Sequence, residues 1–338
     1  MMESGFENVY SLKGGITDWI RHGFKVVKGE AKASENTASS APALPTPTAP
    51  AGDSVAALKP AIITYLNGAA GSADYMMAAG AAKESLDKNR DAWLVLDIRK
   101  PDGYAKGHIP GAINVWFSDI GANFDKIRAA ARGKTVIAVC EIGVGSGQVA
   151  ALLNLAGVKA VDLEDGMGQN SMGRANGKGW LEAGYPAATE STAMPDTPAA
   201  ADSPDPIVLH AVRDYFLKLP ADFNVIKPTD FKELRDTMAA NPDAYAFLDI
   251  RKPEDFARGH IAGSINYAFG PDLANHLDAV AEKAKGKTLI VVSASGQTAG
   301  QAVAVLNLIG IRAKDLALGF AGWNKFVKGE LKVSEGEK

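Results

Sequence analysis

Residues 136–158 read V-I-A-V-C-E-I-G-V-G-S-G-Q-V-A-A-L-L-N-L-A-G-V. An apolar run opens the stretch, a glycine-rich turn follows, and Val149, Leu152, Leu153 and Ala156 then recur at helical spacing. The pattern predicts a strand over 135–139 and a helix over 147–156. Cys140, the single cysteine of the chain, stands at the hinge. A thiol at the carboxyl end of a strand, ringed by loop amides and facing a helix N-terminus, is where a thiolate is best stabilised. Cys140 is therefore a candidate nucleophile.

Working outward, the same pattern recurs. Residues 95–115, V-L-D-I-R-K-P-D-G-Y-A-K-G-H-I-P-G-A-I-N-V, are matched by 247–267, F-L-D-I-R-K-P-E-D-F-A-R-G-H-I-A-G-S-I-N-Y, and 136–158 is matched by 289–311. In that register Cys140 falls opposite Ser293. Each repeat is one fold unit. Within the first, strands are expected at 93–98, 112–115, 135–139 and 160–163, with helices or turns at 101–106, 120–131 and 147–156; helical segments near 62–67 and 212–219 lead into the two units. Short apolar strands alternating with helices give an α/β fold, a parallel sheet with helices on both faces, here repeated. Ligands on such sheets gather at the carboxyl ends of the strands, where Cys140 lies.

The ends of the chain add a third, partial copy. Leu12 to Trp19 repeats the spacing of Leu316 to Trp323, and V-K-G-E closes both 27–30 and 327–330. The expected organisation is a remnant of a module's last strand and helix at 1–30, a disordered Ala/Ser/Thr/Pro linker at 31–53, a module at 54–187 carrying Cys140, a second linker at 188–206, and a module at 207–334 carrying Ser293.

Composition bounds the rest. With 338 residues, 46% hydrophobic and 22% charged, the chain is ordinary globular material. A net charge of -3 without a basic stripe argues against nucleic acid as a partner. No apolar run reaches the roughly 18 residues a membrane helix needs, so no membrane insertion is expected. One cysteine and five scattered histidines offer no metal site, and no cofactor is expected. The compartment is unknown: the chain as given reads as soluble and cytoplasmic, and a signal peptide preceding Met1 would make it periplasmic.

The twice-occurring L-D-I-R-K-P-x-x-[YF]-A-x-G-H-I-x-G-[AS]-I-N, the loop C-E-I-G-V-G-S and the closing strand, turn and tryptophan resemble the rhodanese-like superfamily. The resemblance covers nearly everything outside the linkers. It implies an α/β fold and, in active members, a sulfurtransferase whose loop cysteine carries a persulfide between a sulfane-sulfur donor and a thiol or cyanide acceptor, either of which can be a protein.

The residues agree with that chemistry. A persulfide carrier needs a thiolate and a pocket that holds an extra sulfur. The loop residues Glu141, Ile142, Gly143, Val144, Gly145 and Ser146 form the expected binding nest: successive amides surround the sulfur, Gly143 and Gly145 take unusual backbone angles, and Ser146 caps the helix. Two departures weaken the expectation for thiosulfate. Gly145 stands where many such loops carry an anion-binding arginine, and Glu141 brings a negative charge expected to raise the thiol pKa. In the other module Ser293 cannot form a persulfide and is read as an inactive counterpart; no G-x-S-x-G elbow surrounds it.

Asp97, Arg99 and His108, like Asp249, Arg251 and His260, occur whether or not the cysteine does, and are expected to be structural. Trp19, Trp180 and Trp323 are expected core anchors. An extra glycine-rich insert follows Asp165; its Arg174 and Lys178 read as surface loop. A cysteine phosphatase is disfavoured because the position of its arginine is Ser146. The main alternative to a sulfurtransferase is a non-catalytic binding or scaffold protein.

Overall fold

The computed structural model of the protein describes residues 52–69, 75–168, 178–197, 205–327 and 333–334. The module remnant expected at 1–30 with Trp19, the linker through residue 51, the stretch 169–177 with Arg174, and residues 198–204 lie outside the described residues.

The first unit runs α1 (Gly52–Ala69), β1 (Met76–Met77), α2 (Ala79–Lys88), β2 (Trp93–Asp97), α3 (Pro101–Ala105), β3 (Ile113–Asn114), α4 (Ile120–Ala130), β4 (Thr135–Val139), α5 (Val144–Leu155) and β5 (Ala160–Leu163). Its strands form one parallel sheet in the order β1-β5-β4-β2-β3. In the second unit, α6 (Pro206–Leu217), β6 (Val225–Ile226), α7 (Phe231–Ala240), β7 (Tyr245–Asp249), α8 (Pro253–Ala257), β8 (His260–Ile261), β9 (Ser264–Asn266), α9 (Pro271–Asn275), α10 (Leu277–Ala284), β10 (Thr288–Val292), α11 (Gln297–Leu308), β11 (Ala313–Leu316) and α12 (Gly319–Phe326) follow. The parallel order is β6-β11-β10-β7-β9, and β12 (Val333–Ser334) pairs antiparallel with β8. Central strands β2 and β4 are buried from Leu94 to Asp97 and from Val136 to Val139, as parallel strands covered on both faces must be.

Several boundaries differ from expectation for local reasons. Helix α5 starts at Val144, not 147, because Gly143 adopts φ 84 and ends the loop there. The lead-in helices are longer than expected; α6 begins early because the Asp205 carboxylate accepts from Ile207 N at 2.8 Å and Pro206 opens the first turn. The stretch beginning at Ala188, expected to be linker, is instead hydrogen-bonded to the first unit: Ala188 bridges His108 and Thr192 bridges Ile113.

One hydrophobic core runs through both units and includes Leu152 and Leu153 of α5 with Val303 and Leu306 of α11. The two helices cross at glycines. A Cβ on Gly147 would lie 2.8 Å from the Gln297 carbonyl oxygen, and one on Gly300 would lie 2.4 Å from that of Val144. Each lead-in helix reaches the other unit. From α1, Tyr65 OH donates to Gln301 Oε1 at 2.6 Å and Lys59 pairs with Asp278. From α6, Tyr215 OH donates to Gln148 Oε1 at 2.6 Å and Arg213 pairs with Asp125 at 3.0 Å. The outer faces keep separate cores, around Trp180 in the first unit and Trp323 in the second, so these two tryptophans are the anchors expected of them.

Candidate active site

Cys140 directly follows β4. Its Sγ accepts hydrogen bonds from Gly143 N and from Ser146 Oγ, each at 3.1 Å. The left-handed Gly143 makes this possible by turning its amide back toward a sulfur three residues earlier. Ser146, expected to cap α5, lies inside its first turn, and its hydroxyl serves the sulfur instead. Gly145 has no positive φ; space is what it supplies, since a Cβ there would sit 3.2 Å from the Phe117 ring. Phe117 in turn stacks on Phe223 of the second unit at 5.2 Å between centroids. Val144 is buried at the crossing with α11, and the Ile142 amide acts on the thiol through its hydrogen bond.

Burial opposes the stabilised thiolate expected from the strand-loop-helix position of the partly buried Cys140. Burial pushes the Cys140 thiol up, Asp162 pushes it further, and the Ser146 hydroxyl and the amides of Ser146 and Ile142 offset only part of this. Desolvation of the anion outweighs the donors. The acid responsible also differs from expectation. Glu141 turns its carboxyl toward the Asp97–Arg99 pair and Gly103, where burial raises its pKa against the pull of Arg99. Asp162, within β5, is fully buried, and neither of its carboxyl oxygens has a hydrogen-bond partner among the described residues. Burial holds its pKa well above the carboxylate range, although Ser146 lies near enough to lower it somewhat. Asp315 repeats this state in β11. The signal in the sequence is an aspartate inside each closing strand, A-V-D-L and A-K-D-L.

The backbone of the cysteine is pinned from its other side. Met167 N donates to Cys140 O at 2.9 Å and Gly168 N to Glu141 O at 3.1 Å. Gly166, at φ 53, passes so close that a Cβ would lie 2.3 Å from Cys140 O.

In the second unit Ser293 is 4% exposed, and its Oγ accepts from Gly296 N at 2.9 Å, the counterpart of the Gly143–Sγ contact. The signature residues pair identically in both units. Arg99 clasps Asp97 through Nε and Nη2 and donates to Gly107 O at 2.8 Å, and Arg251 does the same with Asp249 and Gly259 O. His108 and His260 stack on Tyr104 and Phe256 and bond to backbone carbonyls. These groups hold turns together. Lys178 lies exposed at the edge of the described residues. Among the described residues no group of three or more His, Cys, Asp or Glu is placed to share a metal ion, and no helix is long and apolar enough to cross a membrane.

The sequence profile of the rhodanese-like domain matches residues 78–169 and 230–326, more than half of the chain. A protein of Escherichia coli strain K12, "Uncharacterized protein YibN", is 36% identical over 88 residues, 26% of this chain and 61% of its own length. The chain thus spans about three fifths of that relative. From Bacillus subtilis strain 168, "Putative sulfurtransferase YtwF" is 29% identical over 91 residues, 27% of this chain and 84% of its own. Among solved structures, a rhodanese-related protein from Thermoplasma volcanium matches at 29% identity and TM-score 0.28, covering 34% of this chain and 98% of its own. A thiosulfate sulfurtransferase from Pseudomonas aeruginosa matches at 21% identity and TM-score 0.32, covering 83% and 48% respectively.

Proposed function

The chain belongs to the rhodanese-like domain family, and on that premise we propose that it transfers sulfane sulfur through a persulfide on Cys140 Sγ. The observation that carries this is the pair of donors on Sγ, Gly143 N and Ser146 Oγ at 3.1 Å, which stabilise negative charge on sulfur without a general base. In the first step the Cys140 thiolate attacks the terminal sulfur of a donor persulfide. A new S–S bond forms at Sγ, the donor's own S–S bond breaks, and the donor leaves as a thiolate that takes up the proton lost by Cys140. In the second, a thiol or cyanide acceptor attacks the outer sulfur, and Sγ departs as thiolate. No external oxidant or reductant is consumed.

The donor is a low-molecular-weight or protein-bound persulfide rather than thiosulfate. Residues 140–146 contain no cation, so a dianion brought to this loop meets only neutral amide and hydroxyl donors, with no positive charge to offset its desolvation. Ser293, a poor nucleophile that accepts only an amide hydrogen bond, takes no part in transfer. Thiocyanate formation from cyanide, measured with glutathione persulfide and with thiosulfate, tests the assignment. The expected ratio of kcat/KM favours the persulfide by about tenfold or more, or roughly 1.4 kcal/mol. Equal or better turnover with thiosulfate would contradict the assignment.

A further inference from the structure

We propose that the unit carrying Ser293 forms the second wall of the cysteine site, and that its Gln297 is a positioning residue for the Cys140 loop. Gln297 occupies the position that Val144 holds in the first unit, the opening of the helix behind the loop. It is 2% exposed. Its side chain crosses to the first unit, where Nε2 donates to Asp165 Oδ1 at 2.9 Å, and its Cγ and Cδ pack where a Cβ on Gly143 would be 3.0 Å away.

Both contacts bear on the thiol. Gly143 is the residue whose amide donates to Sγ. Asp165 is a non-glycine residue held left-handed at φ 61, a conformation that persists only where surrounding contacts fix it. The turn it opens delivers the Met167 and Gly168 amides to the carbonyls of Cys140 and Glu141. Gln297 therefore braces the sulfur's amide donor on one side and the cysteine's backbone on the other. The exchange is one-way. At the reciprocal positions stand Val144 and Leu318, which cannot make such a bond, so the loop of Ser293 receives no equivalent brace from the first unit.

This inference rests on Cys140 being the working nucleophile, and its test does not depend on sulfur transfer. Alkylation of Cys140 by iodoacetamide in the full chain, followed across pH, separates the midpoint of thiol ionisation from the plateau rate. Gln297→Met keeps side-chain bulk and removes the amide. Its midpoint is expected to move to higher pH, leaving the rate at pH 7, as a fraction of its own plateau, about threefold or more below wild type. Asp165→Ala is expected to reproduce the shift. Asp165→Asn, which keeps Oδ1 and tolerates the left-handed turn, is expected to keep the wild-type midpoint. An unchanged midpoint in folded Gln297→Met overturns the proposal; should that variant fail to fold, an unchanged midpoint in Asp165→Ala does so. A shift in a chain that never takes up sulfur would sink the transfer reaction and leave Gln297 in its role, and sulfur uptake without a shift would do the reverse.

Discussion

Asp162 and Asp315 are the residues at which the protein works against its own stability. Both are buried and lack hydrogen-bond partners among the described residues, and desolvation raises the pKa of each well above the ordinary carboxylate value. The folded-state pKa lies above the unfolded value, so the sign is opposite to that of a salt-bridged aspartate. Below about pH 4 both states are protonated and burial costs nothing extra. As pH rises, the unfolded chain ionises first and stability falls, until the folded pKa is passed. Asp162→Asn, which removes the ionisation with little change of shape, is expected to be more stable than wild type at neutral pH and to lose that advantage in acid. Denaturant titrations at the two pH values measure it, and an equal gain at both would contradict the assignment. Reading the chain could identify Cys140 and its loop, because a lone thiol between a strand and a glycine-rich turn is a local pattern. It could not choose between Glu141 and Asp162 as the acid that governs the thiol, since that depends on where a carboxyl points after folding.

At the scale of elements, the crossing of α5 and α11 is set by two glycines. Gly→Ala inside a helix ordinarily stabilises by about 1 kcal/mol. At Gly300 the sign is reversed, because the added methyl would lie 2.4 Å from the Val144 carbonyl oxygen, a backbone atom that cannot swing aside. Gly300→Ala is expected to cost about 1–3 kcal/mol through overpacking, and a thermal melt showing a stabilised variant would contradict the packing described. The strands were legible: 135–139 and 160–163 coincide with β4 and β5, the first an apolar run after Thr135 and the second apolar except for Asp162, and short apolar segments between helices have few alternatives in a covered parallel sheet. Helix starts were less so. The beginning of α5 is fixed by the backbone angle of Gly143, and that of α6 by the Asp205 cap, both of which act over a single residue. That 188–192 is held by the first unit was illegible, because backbone bonds to His108 leave no mark on side-chain composition.

At the scale of the whole molecule, the repeat in the sequence announced two units with one thiol between them, but not how they join. Exchanged lead-in helices, the Tyr65–Gln301 and Tyr215–Gln148 bonds and a continuous core tie the two into one body. Tertiary contacts between repeats have no periodicity of their own, so Gln297 and Phe223 could not be recognised as neighbours of the cysteine loop. A chain that contains one cysteine can carry one sulfur at Sγ. The raised thiol pKa adds that loading is faster as pH rises, because the attacking species is the thiolate. The most direct measurement is therefore intact mass of the full chain after incubation with glutathione persulfide at several pH values. The expected result is the gain of one sulfur per chain at Cys140, faster in alkali, released by cyanide and absent from Cys140→Ser. A chain that gains no sulfur at any pH, or a Cys140→Ser variant that gains it equally, would contradict the account.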